Sequence, residues 1–220
     1  MLRSILRNLT RHRLYTAINL AGLSLGIAVF LTMALVVRYE TRYDASLPDT
    51  AGLYRLDQIW TLPGRAPEED PVASFVGVPF LRQDFPAISD VLRIVTQPQA
   101  VHVDARIDNE DTTFADPSFF SFFRLKALEG DPRVALSGPA DIAIPASIAR
   151  KYFGTTHAVG RTLRIAQDAQ PHTIELVYED LPANTTYHFG IVERFPAEAP
   201  QWETFTHWGA TWGQLFIRVP

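Results

Sequence analysis

Leu14–Val37, LYTAINLAGLSLGIAVFLTMALVV, is an unbroken run of 24 residues without Asp, Glu, Lys, Arg or His. At about 1.5 Å per residue, a helix of that length spans a hydrocarbon core of roughly 30 Å with some room to tilt. Arg3, Arg7, Arg11, His12 and Arg13 precede the run. Basic residues mark the side that stays in the cytoplasm, so the N-terminus reads as inside and everything after Arg38 as outside. A cleaved signal peptide fits poorly, because its apolar region is usually only about 7–15 residues long. No A-x-A site follows either; the chain runs straight into Arg38-Tyr39-Glu40. The run reads as an uncleaved anchor in contact with membrane lipid.

Ahead of the anchor, residues 1–13 read as a basic cytoplasmic leader. Leu2, Ile5, Leu6 and Leu9 fall at helical spacing on one side, with Arg3, Arg7 and Arg11 on the other. That pattern predicts a short amphipathic helix on the inner leaflet, apolar face in the acyl region and Arg toward headgroups. Within the anchor, Gly22 and Gly26 form a G-x-x-x-G pair, and small residues at this spacing let a second helix approach closely. Gly22 and Gly26 are therefore the helix-packing candidates.

Charge separates the two parts of the chain. The first 37 residues carry four of the 20 Lys and Arg and none of the 24 Asp and Glu, which leaves the remainder at a formal −8. An acidic exterior argues against nucleic acid as a partner. The absence of cysteine excludes disulfides and thiolate metal sites. Aromatic residues are spread throughout, as a folded domain with a core requires.

Outside the anchor, strands alternate irregularly with short helices. Leu53–Leu62 reads as a strand ended by Pro63-Gly64, followed by an acidic loop to Pro71. Val78–Phe85 reads as a helix stopped by Pro86. Val91–Thr96 and Val101–Ile107 read as two strands. Asp116-Pro117 supplies an N-cap and a first-turn proline for a helix reaching about Leu128. Asp141–Ile144 is a short strand, and Ser147–Phe153 a helix closed by Gly154. Thr162–Ala166 and Thr173–Tyr178 alternate cleanly and predict a hairpin. Leu215–Val219 is a final strand. Without a regular βαβ rhythm, the fold class is α+β.

Chemistry-bearing motifs are mostly missing. There is no P-loop, H-E-x-x-H, G-x-S-x-G or S-x-x-K. The outside histidines, at 102, 157, 172, 188 and 207, lack ligand spacing. Asp108, Glu110 and Asp111 lack the glycine and glutamate of a calcium loop, with Thr113 and Phe119 at those places, and read as a solvated turn. Glu179-Asp180 reads as a hairpin exit rather than an acid–base pair. No catalytic residue, metal site or cofactor is expected. Phe119, Phe120, Phe122 and Phe123 read as core, with an exposed partner-binding patch as the alternative; Trp202, Phe205, Trp208 and Trp212 also read as core, with a membrane-interface role as the alternative.

Several segments together resemble the MacB/FtsX-type ABC transporter permeases, in their first membrane helix and MacB-like periplasmic core domain. They are Asn19–Ala28 (NLAGLSLGIA), Tyr39–Asp44 (YETRYD), Leu53-Tyr54-Arg55, Phe114–Phe123 (FADPSFFSFF) and Leu128–Leu136 (LEGDPRVAL). Ser147–Gly154 (SIARKYFG), Val159–Leu163 (VGRTL) and Glu179–Thr185 (EDLPANT) complete the series. Each is unspecific alone; their order and spacing run over nearly the whole chain. The resemblance implies a transmembrane helix at 14–37 and a two-lobed α+β periplasmic domain at 38–220, with an inserted lobe at about 99–182. It implies the bacterial inner membrane, a separate ABC ATPase subunit, a homo- or heterodimer with another permease, and a periplasmic protein partner. The implied function is that of a permease subunit in an export or mechanotransmission system. The later membrane helices of such permeases are not in this sequence, so the reading expects an N-terminal portion. A stand-alone, single-pass sensor or protein-interaction domain is the alternative.

Overall fold

The computed structural model describes residues 13–41, 47–48, 50–166 and 170–219. The amphipathic leader lies outside the described residues, apart from Arg13. The chain separates into two compact units, Met1–Asp44 and Ala45–Pro220.

The first unit contains α1, Arg13–Glu40, a helix of 28 residues. Its length and apolar composition suffice to cross a membrane. None of its residues is buried. Thr32 satisfies its hydroxyl by donating to the Ala28 carbonyl at 2.8 Å, one turn back, which is how a polar side chain is accommodated in an apolar helix.

The second unit is a mixed α+β domain. Its strands are β1 (Leu53–Leu56), β2 (Gln58–Trp60), β3 (Glu68–Asp70), β4 (Asp90–Val103), β5 (Arg106–Ala115) and β6 (Ala127–Gly130). They continue with β7 (Asp141–Pro145), β8 (Thr162–Ile165), β9 (His172–Tyr178), β10 (Ile191–Arg194) and β11 (Gln214–Arg218). Short helices α2 (Val78–Asp84), α3 (Phe119–Phe123), α4 (Ala146–Phe153) and α5 (Glu203–Thr206) lie between them.

Nine strands form one sheet in the order β1-β11-β4-β5-β10-β7-β9-β6, and β8 bridges β9 and β4. The bridge closes β4, β5, β10, β7, β9 and β8 into a ring. β4 makes the closure possible because it is 14 residues long. One of its edges carries β5, from Ile94↔Ala115 to Val103↔Arg106. The other carries β11 beside Asp90–Ile94 and then β8 beside Val101 and His102. A closed ring leaves no free strand edge within itself. β5/β10 and β7/β9 pair in parallel, the remaining pairs antiparallel, which is the mixed pattern of an α+β domain.

Two lobes share β4. In one, Val101, Ile142, Ile144, Leu163, Ile174 and Ile191 fill the ring with α4 against it. In the other, Phe75, Val91, Val95, Phe114 and Leu215 pack beneath the helical segments around residues 75–85 and 199–206. A third cluster, built on all four phenylalanines of α3 with Leu92, Leu176 and Phe216, completes the core.

Several local expectations need correction. The expected strand at 53–62 breaks at Asp57, whose carboxylate is held by Arg55 at 2.6 Å. Part of the acidic loop is strand: Glu68, Glu69 and Asp70 pair with Trp60, Ile59 and Gln58. The two strands expected between 91 and 107 are one strand, β4, and the turn falls at Asp104-Ala105. Asp104 takes a φ of +51° there, a left-handed conformation that Asp tolerates better than most residues. Asp108, Glu110 and Asp111 accordingly lie on strand β5, not in a turn. The helix expected to reach Leu128 ends at Phe123, because Arg124 is left-handed at φ +53°. Asp116 does not cap it with its side chain; the carboxylate accepts from Arg93 instead. Strand β10 was not anticipated.

Candidate functional site

The family-like segments prove to be mainly structural. Phe119, Phe120, Phe122 and Phe123 are at most 2% exposed. Phe123 packs against Phe189, Phe216 and Tyr187, with centroids 4.9, 5.2 and 6.0 Å away. Just before them, Asp116 takes two hydrogen bonds from the Arg93 guanidinium, at 2.6 and 3.0 Å, and one from the Arg93 backbone N–H. The same guanidinium lies 5.0 Å from the Phe205 ring centroid. A bidentate, half-buried pair of this kind fixes the start of α3 relative to β4.

Helix α4 is tied at both ends. Its N-terminus receives Asp180, whose carboxylate accepts from the Ser147 N–H at 3.0 Å and from the Ser147 hydroxyl. Arg150 lies 3.7 Å from the same carboxylate. Gly154, at φ +70°, ends the helix with its N–H on the Arg150 carbonyl. Glu179 turns elsewhere, to Lys126 at 3.2 Å, so the adjacent carboxylates diverge as expected. Lys151 reaches Glu110 at 2.5 Å and Asp108 at 3.3 Å. Tyr152 donates to Glu110 at 2.7 Å. The Glu110 bond raises the Lys151 pKa above its ordinary value, so the ammonium stays charged. Two of the three acids read as a solvated turn, Asp108 and Glu110, are thus committed to α4.

Two further acids are held by neighbours. The Asp131 carboxyl is pulled down to about 2 by hydrogen bonds from the Arg133 side chain and N–H. Glu129 accepts from the Val159 and Ala158 N–H groups, at 3.1 and 2.8 Å, and faces the His157 ring at 3.3 Å. These contacts, that of Val159 foremost, hold its pKa below the usual glutamate value. His172 lies 3.8 Å from Glu193. Among the described residues, no group of three or more His, Cys, Asp or Glu is arranged to hold a metal ion.

What remains unexplained by packing is apolar surface. A groove of about 420 Å³ opens between β2, on the β2–β3 ribbon, and the helical segment at 75–85. Ile59, Phe80, Phe85 and Trp208 line it and are 65, 54, 56 and 61% exposed. The Phe80 and Trp208 rings are 5.9 Å apart. The expected aromatic core at 202–212 is therefore split: Trp202 and Phe205 pack inward, while Trp208 and Trp212 remain exposed. No periodicity separates Trp208 from Trp202, and Phe80 looks like any apolar residue of an amphipathic helix. Only the density of tryptophan after Pro200 hinted at the groove. In α1, an added Cβ at Gly22 or Gly26 meets nothing within 4 Å.

The chain combines a helix long and apolar enough to cross a membrane with a mixed α+β domain, the class of a membrane-anchored domain protein. More narrowly, the family model of the MacB-like periplasmic core domain matches residues 16–219, and the chain belongs to that family. Its fold is similar to the crystal structure of a domain of a putative permease protein from Porphyromonas gingivalis, with a TM-score of 0.65 and 22% identity over 79% of this chain and 75% of that one. The periplasmic region of MacB from Actinobacillus actinomycetemcomitans is also similar, with a TM-score of 0.53 and 10% identity over 80% of each chain. Among curated proteins, none matches by sequence.

Proposed function

We propose that this chain is a permease subunit of an ABC-type export or mechanotransmission system in the bacterial inner membrane. The N-terminus lies in the cytoplasm and residues 38–220 lie in the periplasm, with the inserted lobe at about 99–182. A separate ABC ATPase hydrolyses ATP inside; closure of its dimer moves the membrane helices, and that motion is passed to the periplasmic domain. The observation that carries this reading is a membrane-length helix on the same chain as a MacB-like periplasmic core domain. The G-x-x-x-G spacing of Gly22 and Gly26 supports close packing of α1 against another permease helix, in a homo- or heterodimer.

The exposed groove favours a second reading, a stand-alone membrane-anchored sensor or interaction domain. Coexpression with candidate ABC ATPases and a multi-helix permease separates the two. The permease reading expects copurification with one ATPase and loss of the complex when Gly22 and Gly26 are both changed to Leu. Failure to copurify with any ATPase would leave the interaction domain as the better account.

A further inference from the structure

We propose that the groove between the β2–β3 ribbon and the 75–85 segment docks a protein segment that carries a large apolar anchor flanked by Lys or Arg. Exposed large apolar side chains scattered singly mean little, but these four converge on one concavity. Trp208 rests on Gly77, where an added Cβ would come within 3.4 Å of the indole. The bare glycine keeps the floor low beside a tryptophan that is 61% exposed. Aromatic residues held in this way are typical anchors of protein interfaces.

The rim selects the partner. Asp57 and Asp84 line the groove, and Glu68, Glu69 and Asp70 stand on β3, the strand paired with the β2 wall. The nearby bases in sequence are Arg55, bonded to Asp57 at 2.6 Å, and Arg65 and Arg82. Over residues 53–85, which carry both walls, five carboxylates stand against three guanidinium groups, so the surroundings of the groove are acidic. A second copy would set one acidic rim against another, and anionic lipid would be repelled by both. A basic segment with an aromatic or branched aliphatic anchor satisfies the apolar floor and the charged rim together.

This inference deepens the periplasmic-partner element of the reading above and rests on it only for the compartment in which the groove lies. Its test needs no ATPase, so it can fail while the coupling reading stands. The full chain is placed in phosphatidylcholine nanodiscs. Two labelled helical peptides share a Trp and a Leu one turn apart; one is flanked by Lys, the other by Glu. Fluorescence anisotropy should show binding of the Lys peptide and much weaker binding of the Glu peptide. Phe80→Ser and Trp208→Ser should each weaken the Lys peptide by about tenfold or more. Gly77→Leu, which fills the floor without needing an unusual backbone conformation, should do the same. Glu68→Lys combined with Glu69→Lys should weaken it through the charge beside the groove, with the apolar floor untouched. Ile107→Ser, at a residue equally exposed on β5, should leave it unchanged, with circular dichroism confirming the fold of every variant. Four outcomes would overturn the proposal: no binding of the Lys peptide, equal binding of both peptides, an equal loss with Ile107→Ser, or phosphatidylserine vesicle binding that Phe80→Ser abolishes. A dimer in sedimentation that Phe80→Ser dissolves would likewise overturn it, in favour of self-association.

Discussion

At the scale of single residues, most polar chemistry in this domain serves to hold the chain in place. Glu129 is the clearest case, because its carboxylate collects the N–H groups of the 158–159 turn and joins that turn to β6. The resulting bonds exist to the charged form, so they depress its pKa relative to the unfolded chain. A depressed carboxyl contributes stability that is fully present above the ordinary glutamate value and is lost as pH falls through the lowered one. Glu129→Gln is therefore expected to cost about 1 kcal/mol at neutral pH, the scale of hydrogen bonds to a charged group after partial exposure. The difference between the two proteins should shrink as pH falls from the ordinary glutamate value to the depressed one. Thermal melts at pH 7 and near pH 3 measure this; a difference that stays constant between them would mean that Glu129 acts by packing alone. The motif around Glu129 was legible in LEGDPRVAL, but the role of the glutamate was not. Its partners lie about thirty residues downstream, and nothing local in the sequence joins them.

At the scale of elements, α3 shows how tertiary packing overrides local preference. Five residues cannot sustain a helix in water, and four bulky phenylalanines add no helix propensity. The segment is helical because each ring has a place in the core, with Phe119 4.8 Å and Phe123 4.9 Å from Phe189 on the strand of chain entering β10. That explains why the expected helix was too long: beyond Phe123 no further residue gains from helical geometry, and Arg124 turns left-handed. Phe123→Ala should cost about 3–5 kcal/mol, the usual consequence of an aromatic-sized cavity that cannot collapse. Ser121→Ala in the same helix should change stability by less than about 0.5 kcal/mol, since Ser121 is exposed and only returns a bond to the Ser118 carbonyl. Urea denaturation of both variants makes the comparison. Similar losses would show that helix propensity, not ring packing, holds the element.

At the scale of the whole molecule, legibility depended on how far apart the interacting residues lie. The anchor needed only its own 24 residues, and the mixed α+β class followed from element order. Ring closure did not, because β8 meets β4 across some sixty residues through two paired positions, His102↔Arg164 and Val101↔Ile165. The groove was equally hidden: Phe75 and Phe80 are the same residue five positions apart, yet one is 2% exposed and the other 54%. The orientation of the chain in the membrane is again a local matter. Four arginines precede the apolar run, while Arg38 and Arg42 are the basic residues in the fifteen that follow it. An Arg at the centre of a membrane helix costs about 2.5–3.5 kcal/mol on insertion scales, basic residues near the helix ends set orientation, and acidic residues weigh little in it. The inward N-terminus is therefore favoured by the difference between four and two. Because the chain has no cysteine, single introduced thiols report this without background. In spheroplasts, a membrane-impermeant maleimide should label Val134→Cys, at a side chain 50% exposed, without further treatment. It should reach Ser4→Cys only after permeabilisation. The reverse pattern would invert the orientation and remove the groove from the periplasm, and labelling of both from outside would mean that the apolar helix does not span the bilayer.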